Sequence, residues 1–267
     1  GAALQGLFRN PLAEPALIGV SGGAALGAVV TIVLGAPAIA VIGLAPTLAL
    51  PAMAFAGGLI ATILVYRFAS VGGRTVVATM LLAGIAVQAV AGAGIGLMIF
   101  LSNDEQLRTL NFWLLGSLAS TTWEALLPTV PFLLAAIILL PLMARPLNGF
   151  LLGEREAGHL GIDVEAFKRR IVVLVALSVG AAVATSGVIF FVGLVVPHLL
   201  RLVVGADHRV ILPGSALLGA ILLLGADIVA RLLVVPAELP IGIVTSLIGG
   251  PFFLWLLRRS QRAHRLG

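Results

Sequence analysis

A serine in a glycine-rich setting is the first candidate for chemistry in this sequence. Gly19-Val20-Ser21-Gly22-Gly23 matches G-x-S-x-G, in which hydrolases present a nucleophile, and His198 is available as a base. The motif works on a strand-turn-helix elbow, whereas Ser21 stands at the start of an apolar helical run. We therefore expect this segment to pack against another helix, and an intramembrane serine hydrolase ranks third among the functions considered.

Nucleotide and metal sites lack the residues they need. Lys168 is the only candidate for a phosphate-loop lysine, but Glu165-Ala166-Phe167 precedes it in place of glycines. Any ATP must therefore be hydrolysed by another chain. There is no cysteine, and the histidines at positions 159, 198, 208 and 264 never stand at i, i+4. We predict no catalytic residue, no metal site and no permanently bound cofactor.

Two opposite charges share one face of a predicted helix. Asp227 and Arg231 are four residues apart, which is the spacing of an ion pair on a helix. One interpretation is a neutralising pair, since charges inside a membrane are costly. The other is that Arg231, with Glu238 following it, offers charge to an external partner. The two roles are compatible.

Membrane-spanning helices are the elements that must position these residues. Hydrophobic residues make up 60% of the 267-residue chain and charged residues 10%, with a mean hydropathy of +1.18, so lipid is its solvent. Apolar runs of about 20 residues select helices over barrel strands. The predicted spans are 1–8, 16–35, 46–69, 76–101, 123–143, 170–187, 189–204, 211–235 and 240–257. The sequence thus predicts an all-α polytopic transmembrane helix bundle forming one domain, 1–267.

The segment 189–204 is short and contains Pro197. It fits a full span, a broken helix or a re-entrant segment. If all the predicted spans alternate across the membrane, every Lys and Arg except Arg108 and Arg231 falls on one side. The positive-inside rule makes that side cytoplasmic. Orientation also explains the net charge of +5 better than nucleic-acid binding does, because the basic residues are scattered between apolar runs.

Small residues recur at helix-packing spacing in Gly23-x-x-x-Gly27 and Gly92-x-x-x-Gly96. This spacing lets helix backbones approach closely in lipid. We expect both pairs to pack against neighbouring helices rather than to line a substrate path.

Two stretches lie outside the predicted spans. Residues 102–123 carry Asp104, Glu105 and Arg108 before Phe112-Trp113, which is typical of a short helix at the external interface. Residues 146–170 form the longest polar loop, with short predicted helices punctuated by glycine. A simple connection would be shorter, so we expect this loop to contact a partner, with a solvated structural loop as the alternative.

Several motifs along the sequence resemble those of a known family. The motifs that carry the resemblance are Gln5-x-x-Phe8-Arg9-Asn10-Pro11-Leu12-Ala13-Glu14-Pro15, Leu152-Gly153-Glu154 with Leu160-Gly161, Phe191-Val192-Gly193-Leu194-Val195-Val196-Pro197-His198, Asp207-His208-Arg209 and Glu238-Leu239-Pro240-Ile241-Gly242. They resemble the FecCD-type permeases of type II ABC importers, which take up iron-siderophores, haem and cobalamin. Members have ten transmembrane helices. The chain starts without a methionine, so we expect the first helix and part of the second to be absent.

The resemblance implies a set of partners for a multi-pass protein of the bacterial inner membrane. They are a second copy of the chain, two cytoplasmic ATPase subunits that bind ATP and Mg²⁺, and a periplasmic substrate-binding protein; lipid surrounds the assembly, and nucleic acid has no part.

Residue roles follow from the same resemblance. The cytoplasmic loop 147–165 would couple to the ATPase through Gly153, Glu154, Ala157, Leu160 and Gly161. Asn10, Leu12, Val76 and Val77 would form the cytoplasmic gate, and Arg231 and Glu238 would dock the binding protein.

The most specific of these expectations concerns the transported substrate. Residues 104–118 look most like haem permeases, so we favour haem over ferric siderophores, and these over cobalamin. The cobalamin member has hydroxyl side chains where Val76-Val77 stand here. An ion-coupled secondary transporter is the alternative from another class, although the spans contain few ionisable groups for ion coupling.

Overall fold

A computed structural model describes residues 1–43, 45–119, 121–234 and 238–265, without the side chains of residues 36–42, 46, 255–257 and 259–265. The described chain is a helix bundle, as predicted. Its α-helices are α1 (Ala2–Leu7), α2 (Val20–Ile42), α3 (Pro46–Ala69), α4 (Val77–Leu101), α5 (Asp104–Leu115), α6 (Trp123–Leu126), α7 (Val130–Leu142), α8 (Ala144–Leu152), α9 (Glu154–His159), α10 (Val164–Ser186), α11 (Val192–Val204), α12 (His208–Leu233) and α13 (Ile241–Arg265). A 3-10 helix spans Pro15–Ile18.

One element departs from the all-helical prediction. Strands β1 (Ser70–Val71) and β2 (Arg74–Thr75) form an antiparallel hairpin between α3 and α4. Gly72 and Gly73 both have positive φ, so this tight turn suits glycine. The hairpin ends one residue before Val76 and fixes where α4 begins.

Several helices are long and apolar enough to cross a membrane. Among the described residues these are Thr47–Ala69, Val77–Leu101 and His208–Leu233, and a fourth if α7 and α8, bent by 54°, count as one span. Two other predicted spans are interrupted. The chain leaves helical geometry at Gly35 in α2, and the predicted span 123–143 divides into α6 and α7. The end of the predicted span at residue 235 lies outside the described residues.

Contacts between distant segments define two ends of the bundle. At one end, which we call the basic end, Lys168 reaches Thr75 and Asn148 reaches Asp207. At the opposite end, the Ser117 N–H donates to the Ser186 carbonyl at 2.8 Å. Lys168 and Ser186 lie on the same helix, 18 residues apart, which separates the ends by about 27 Å. The alternation predicted from hydropathy agrees with this arrangement.

The ambiguous segment 189–204 crosses between these two ends. Its helix, α11, has 13 residues and covers only about 20 Å, less than the roughly 30 Å of a bilayer core. Residues 187–191 before it are not helical, and Gly187 packs on the carbonyl group of Trp113 at the opposite end. Asp207, just after the helix, lies at the basic end. The segment is therefore a crossing made partly of non-helical chain.

The glycine prediction holds for one pair and fails for the other. A Cβ at Gly23 would collide with the backbone of Gly57 in α3, and one at Gly27 with the backbone of Met53. By contrast, a Cβ at Gly92 or Gly96 would meet nothing within 4 Å. The expectation that this second pair packs against another helix is wrong within the described chain, because that face of α4 points away from the bundle.

The largest hydrophobic cluster lies towards the basic end. It joins residues of α1, α3, α4, α8, α9, α10 and α12, with Phe150 and Phe167 in contact at 5.0 Å between ring centroids. Phe150 is fully buried. This core is the platform on which the polar segments of the basic end are mounted.

Candidate functional site

The predicted coupling loop consists of two short helices with a sharp break between them. Gly153 joins α8 to α9 with φ 131° and ψ 156°, a conformation that side chains disfavour. Ala157 is fully buried, whereas Leu160 is 64% exposed. Sequence reasoning counted Ala157 among the partner contacts, but it packs into the core and anchors α9. Leu160 and the open left-handed turn at Gly161 face outward.

Glu154, the first residue of α9, is half-buried and pairs with a buried lysine. Its carboxylate lies 2.7 Å from the Lys168 ammonium, which is 2% exposed. The same ammonium lies 3.2 Å from Glu165 and donates to the Thr75 carbonyl oxygen at 2.8 Å. One buried charge therefore connects α9, α10 and the hairpin.

Glu165 completes this arrangement from the other side of Thr75. Its carboxylate accepts the Thr75 N–H at 2.8 Å. Partial burial raises the pKa of Glu165, but the hydrogen bonds from Thr75 and the nearby Lys168 charge outweigh it, so the pKa lies below its ordinary value. The hydroxyl of Thr75 also contacts Ser70 at 3.0 Å and Tyr66 at 3.3 Å. Thr75 is thus fixed through its backbone and its side chain.

Both predicted gate segments lie at the basic end. Val76 follows Thr75 directly and is 49% exposed, while Val77 packs against the main core. Leu12 is 37% exposed in the loop after α1. Asn10 shapes that loop, since its side-chain oxygen accepts the Leu12 N–H at 2.9 Å. The four residues lie at one end of the bundle, and their role as a gate stays a prediction.

The loop before Leu12 contains a strained residue. Arg9 has φ 48°, and the N–H groups of Arg9 and Asn10 bond to the carbonyls of Gly6 and Gln5, which is a Schellman motif. Glycine is the usual residue in this position. A Cβ added at Gly153 would lie 3.9 Å from Nη1 of Arg9, so the turn abuts the break between α8 and α9. The loop that leads to Leu12 therefore lies beside the predicted coupling segment, and Thr75, which precedes Val76, bonds to Glu165 at the end of that segment.

Helix α8 also holds the start of α12. The side-chain oxygen of Asn148 accepts the His208 N–H at 2.9 Å, and its amide donates to Asp207 at 2.6 Å. Asp207 caps α12 by accepting the Arg209 N–H. This N–H and the Asn148 amide lower the pKa of Asp207. A displacement of α8 would pull directly on α12.

The opposite end carries the predicted docking residues. Nε of Arg231 donates to Asp227 at 2.8 Å, which confirms the predicted pair. The Arg231 side chain is 48% exposed, and its remaining guanidinium N–H groups are available to a partner. Glu238 and Arg108 line a cavity of about 430 Å³ with Phe112 and Trp113. Helix α5, predicted as a short interfacial helix, begins with a capping box between Asn103 and Gln106.

The serine hydrolase alternative finds no support. Ser21 lies in the first turn of α2, without the strand that a nucleophile elbow requires, and it lines a cavity of about 470 Å³ beside α10. No hydrogen bond joins Ser21 to His198 in the part of the chain that the structure describes. The described residues also contain no cluster of three His, Cys, Asp or Glu that could hold a metal ion. The His264 side chain lies outside them.

Sequence reasoning missed four residues that organise the basic end. Lys168 was weighed only as a phosphate-loop residue, and Thr75, Asn148 and Arg9 were assigned no individual role. No local signal marks Asn148, whose partners Asp207 and His208 lie about 60 residues further along the chain. The spacing of Glu165 and Lys168 could have indicated their pair, but nothing local marks the contact of Lys168 with Thr75, 93 residues away.

The chain is similar to known transport proteins along its whole length. Residues 1–259 match the FecCD transport family. The hemin transport system permease protein HmuU of Yersinia pestis is 49% identical over 270 residues, covering 100% of this chain and 78% of HmuU. The cobalamin import system permease protein BtuC of Halobacterium salinarum is 46% identical over 264 residues, covering 98% and 69%. A solved metal-chelate type ABC transporter in an inward-facing conformation superimposes with a TM-score of 0.85 at 35% identity, covering 96% of this chain and 79% of that one.

Proposed function

The chain belongs to the FecCD transport family and is a permease subunit of a type II ABC importer, and we propose that its cargo is haem. The observation that carries this choice is the 49% identity to a hemin permease along the whole chain. The apolar Val76 and Val77 at the predicted gate support haem over cobalamin, since they stand where the resemblance gives the cobalamin member of the family hydroxyl groups.

The energy source is a separate ATPase. In the described chain, α9 is anchored to the core, and Leu160 and Gly161 are exposed on its outer side. This geometry suits a segment that receives movement from a partner. These features support α8 and α9 as the docking surface for a cytoplasmic ATPase that binds ATP and Mg²⁺. Chemistry would then take place on the ATPase, and the permease would contribute translocation alone.

The mechanism follows from the contacts of the basic end. ATP-driven closure of the ATPase displaces α8 and α9, and the core behind Ala157 and Phe150 prevents them from moving independently. Arg9 beside Gly153 links that movement to the Leu12 loop, and Asn148 links it to α12. Two copies of the chain, facing each other, would open and close a pathway between them. Such a change requires that each state makes different contacts with the ATPase.

The opposite end receives the cargo. Arg231, half exposed and oriented by Asp227, supports docking of a periplasmic binding protein through an acidic side chain. The positive-inside rule supports a basic end that faces the cytoplasm, and the location that we propose for the permease is the bacterial inner membrane.

Reconstitution with the ATPase and the binding protein tests the cargo. ATPase activity is measured with the binding protein loaded with haem, a ferric siderophore or cobalamin in turn. We expect haem to give the largest stimulation. Stimulation by cobalamin or the siderophore, with none by haem, would overturn the haem assignment and leave the permease assignment intact.

A further inference from the structure

A buried lysine joins the two parts of the basic end that must move together. Resting on the proposed function, we propose that Lys168 is a positioning residue that transmits displacement of α9 to the gate segment at Val76. The ammonium is the only direct polar link, in the described chain, between Glu154 and the hairpin that ends at Thr75.

The three donors of the ammonium are fully used. Lys168 lies 2.7 Å from Glu154, 2.8 Å from the Thr75 carbonyl and 3.2 Å from Glu165, and its side chain is 2% exposed. A lysine has three N–H donors, so none is left for a phosphate or another ligand. The group is committed to holding three segments of the chain in one geometry.

The hairpin side of the link is stiff. Both backbone polar groups of Thr75 are held from α10, the N–H by Glu165 and the carbonyl by Lys168. The next residue, Val76, donates its own N–H to Ala69 at 3.0 Å and closes the hairpin. Since Val76 is bonded directly to Thr75, any shift of Thr75 relocates this half-exposed side chain.

The α9 side of the link is where an external load arrives. Glu154 is the first residue of α9, directly after the break at Gly153, and its side chain remains 38% exposed. Leu152 and Leu160 flank it, 67% and 64% exposed, as apolar contacts for a partner. A force on this surface reaches the Glu154 carboxylate, then Lys168, then Thr75.

Stability alone does not account for such a buried charge. Burying an ion pair costs desolvation that its attraction barely offsets, and apolar replacements are often as stable. What the pair does provide is a fixed geometry between three segments that are far apart in sequence. The flanking Arg169 and Arg170 are exposed, so charge at this end of α10 does not require burial of Lys168.

The test compares Lys168→Gln with Lys168→Arg and the exposed control Arg170→Gln in the reconstituted importer. We expect Lys168→Gln to keep ATPase activity near that of the wild type while cargo moved per ATP falls about tenfold, within the usual range of coupling energies. Lys168→Arg should restore part of the ratio, and Arg170→Gln should leave it unchanged. An unchanged ratio in Lys168→Gln, or a parallel loss of ATPase activity, would overturn the proposal.

A distance measurement in the otherwise wild-type chain remains decisive if Lys168→Gln does not fold. The chain has no cysteine, so Val71→Cys and Arg155→Cys place one spin label on the hairpin and one on α9 of each copy, and dilution with unlabelled chain isolates the pair within one copy. We expect this distance to stay constant between nucleotide-free and ATP-trapped importers, because the link moves as a unit. A distance that changes between the two states would overturn the proposal. Should another cargo replace haem, the haem assignment fails, while uptake of that cargo per ATP still tests Lys168.

Discussion

The carboxylate of Glu154 lies 2.7 Å from the ammonium of Lys168, 14 residues further along the chain. The contact brings the start of α9 against α10 at a point where Gly153 has just broken the path of the chain. The contact gives the predicted coupling segment a defined position relative to the rest of the permease. Mutations of the contact can therefore test the effect of this segment on transport.

Reversal of the Glu154 charge should uncouple the importer. Glu154→Lys places a second ammonium beside a buried one, and like charges at this distance repel strongly at low dielectric. We expect the variant to insert normally and to lose uptake while ATPase activity persists. Glu154→Gln is the matched control, since it keeps an acceptor for Lys168. Equal uptake by Glu154→Lys and the wild type would show that the segment does not couple.

Gly153 should resist substitution while a nearby glycine does not. Gly153→Ala forces a side chain into a conformation with φ 131°, at a cost of about 1–3 kcal/mol. Gly158 lies within α9 with no neighbour within 4 Å of an added Cβ, so Gly158→Ala should stabilise α9 by up to about 1 kcal/mol. Melting temperatures in detergent should move in opposite directions. A common direction of change would contradict the backbone argument.

Asn148→Ala should weaken the connection between α8 and α12. The substitution leaves the His208 N–H without its acceptor and costs about 0.5–2 kcal/mol, as loss of a helix cap does. Asn103→Ala removes the cap of α5 at the opposite end, with a similar expected cost. We expect both variants to melt earlier and only Asn148→Ala to lower uptake per ATP. Lower uptake per ATP in both variants would show that Asn148→Ala acts through general stability rather than through the connection between α8 and α12.

Protonation of Glu165 should loosen the hairpin at low pH. Its pKa in the folded chain lies below the ordinary value, so its contribution to stability is present above the ordinary carboxyl pKa of about 4.3 and disappears as the pH falls through the lower folded value. The melting temperature of the wild type should therefore exceed that of Glu165→Gln at neutral pH and converge with it in acid. A difference in melting temperature that stays constant from neutral to acidic pH would contradict a stabilising role of the Glu165 carboxylate.

Arg231→Glu should weaken docking of the binding protein in a salt-dependent manner. Exposed charges are screened over about 8–10 Å at physiological ionic strength, so the deficit should shrink as salt rises. Association is measured by surface binding to the reconstituted permease. Arg108→Glu, which reverses the charge of a second arginine at the same end, is measured alongside. A deficit independent of salt would point instead to disruption of the Asp227 pair.

The helix bundle and its two ends were predictable because long apolar runs leave few alternatives in lipid. Charge asymmetry then identified the basic end, and the spacing of Asp227 and Arg231 predicted their pair correctly. These features depend on local composition or on one turn of helix, which the sequence displays directly.

The internal connections of the basic end were not predictable in this way. Lys168 stands in the charge run Lys168-Arg169-Arg170, a pattern typical of a solvated surface, and only tertiary partners reveal its burial. Arg9 adopts a backbone conformation that usually signals glycine. Hydropathy also does not reveal that the helix breaks at Gly35 or that the Gly92–Gly96 face of α4 meets no neighbour in the described chain.

The most direct test of the account is haem uptake into sealed vesicles that contain this permease, its ATPase and its binding protein. Uptake is measured with ATP, with ATP and an ATPase variant that cannot hydrolyse it, and with proton and sodium gradients alone. We expect haem to accumulate only with ATP and an active ATPase. Accumulation driven by an ion gradient, undiminished by the inactive ATPase, would contradict the account.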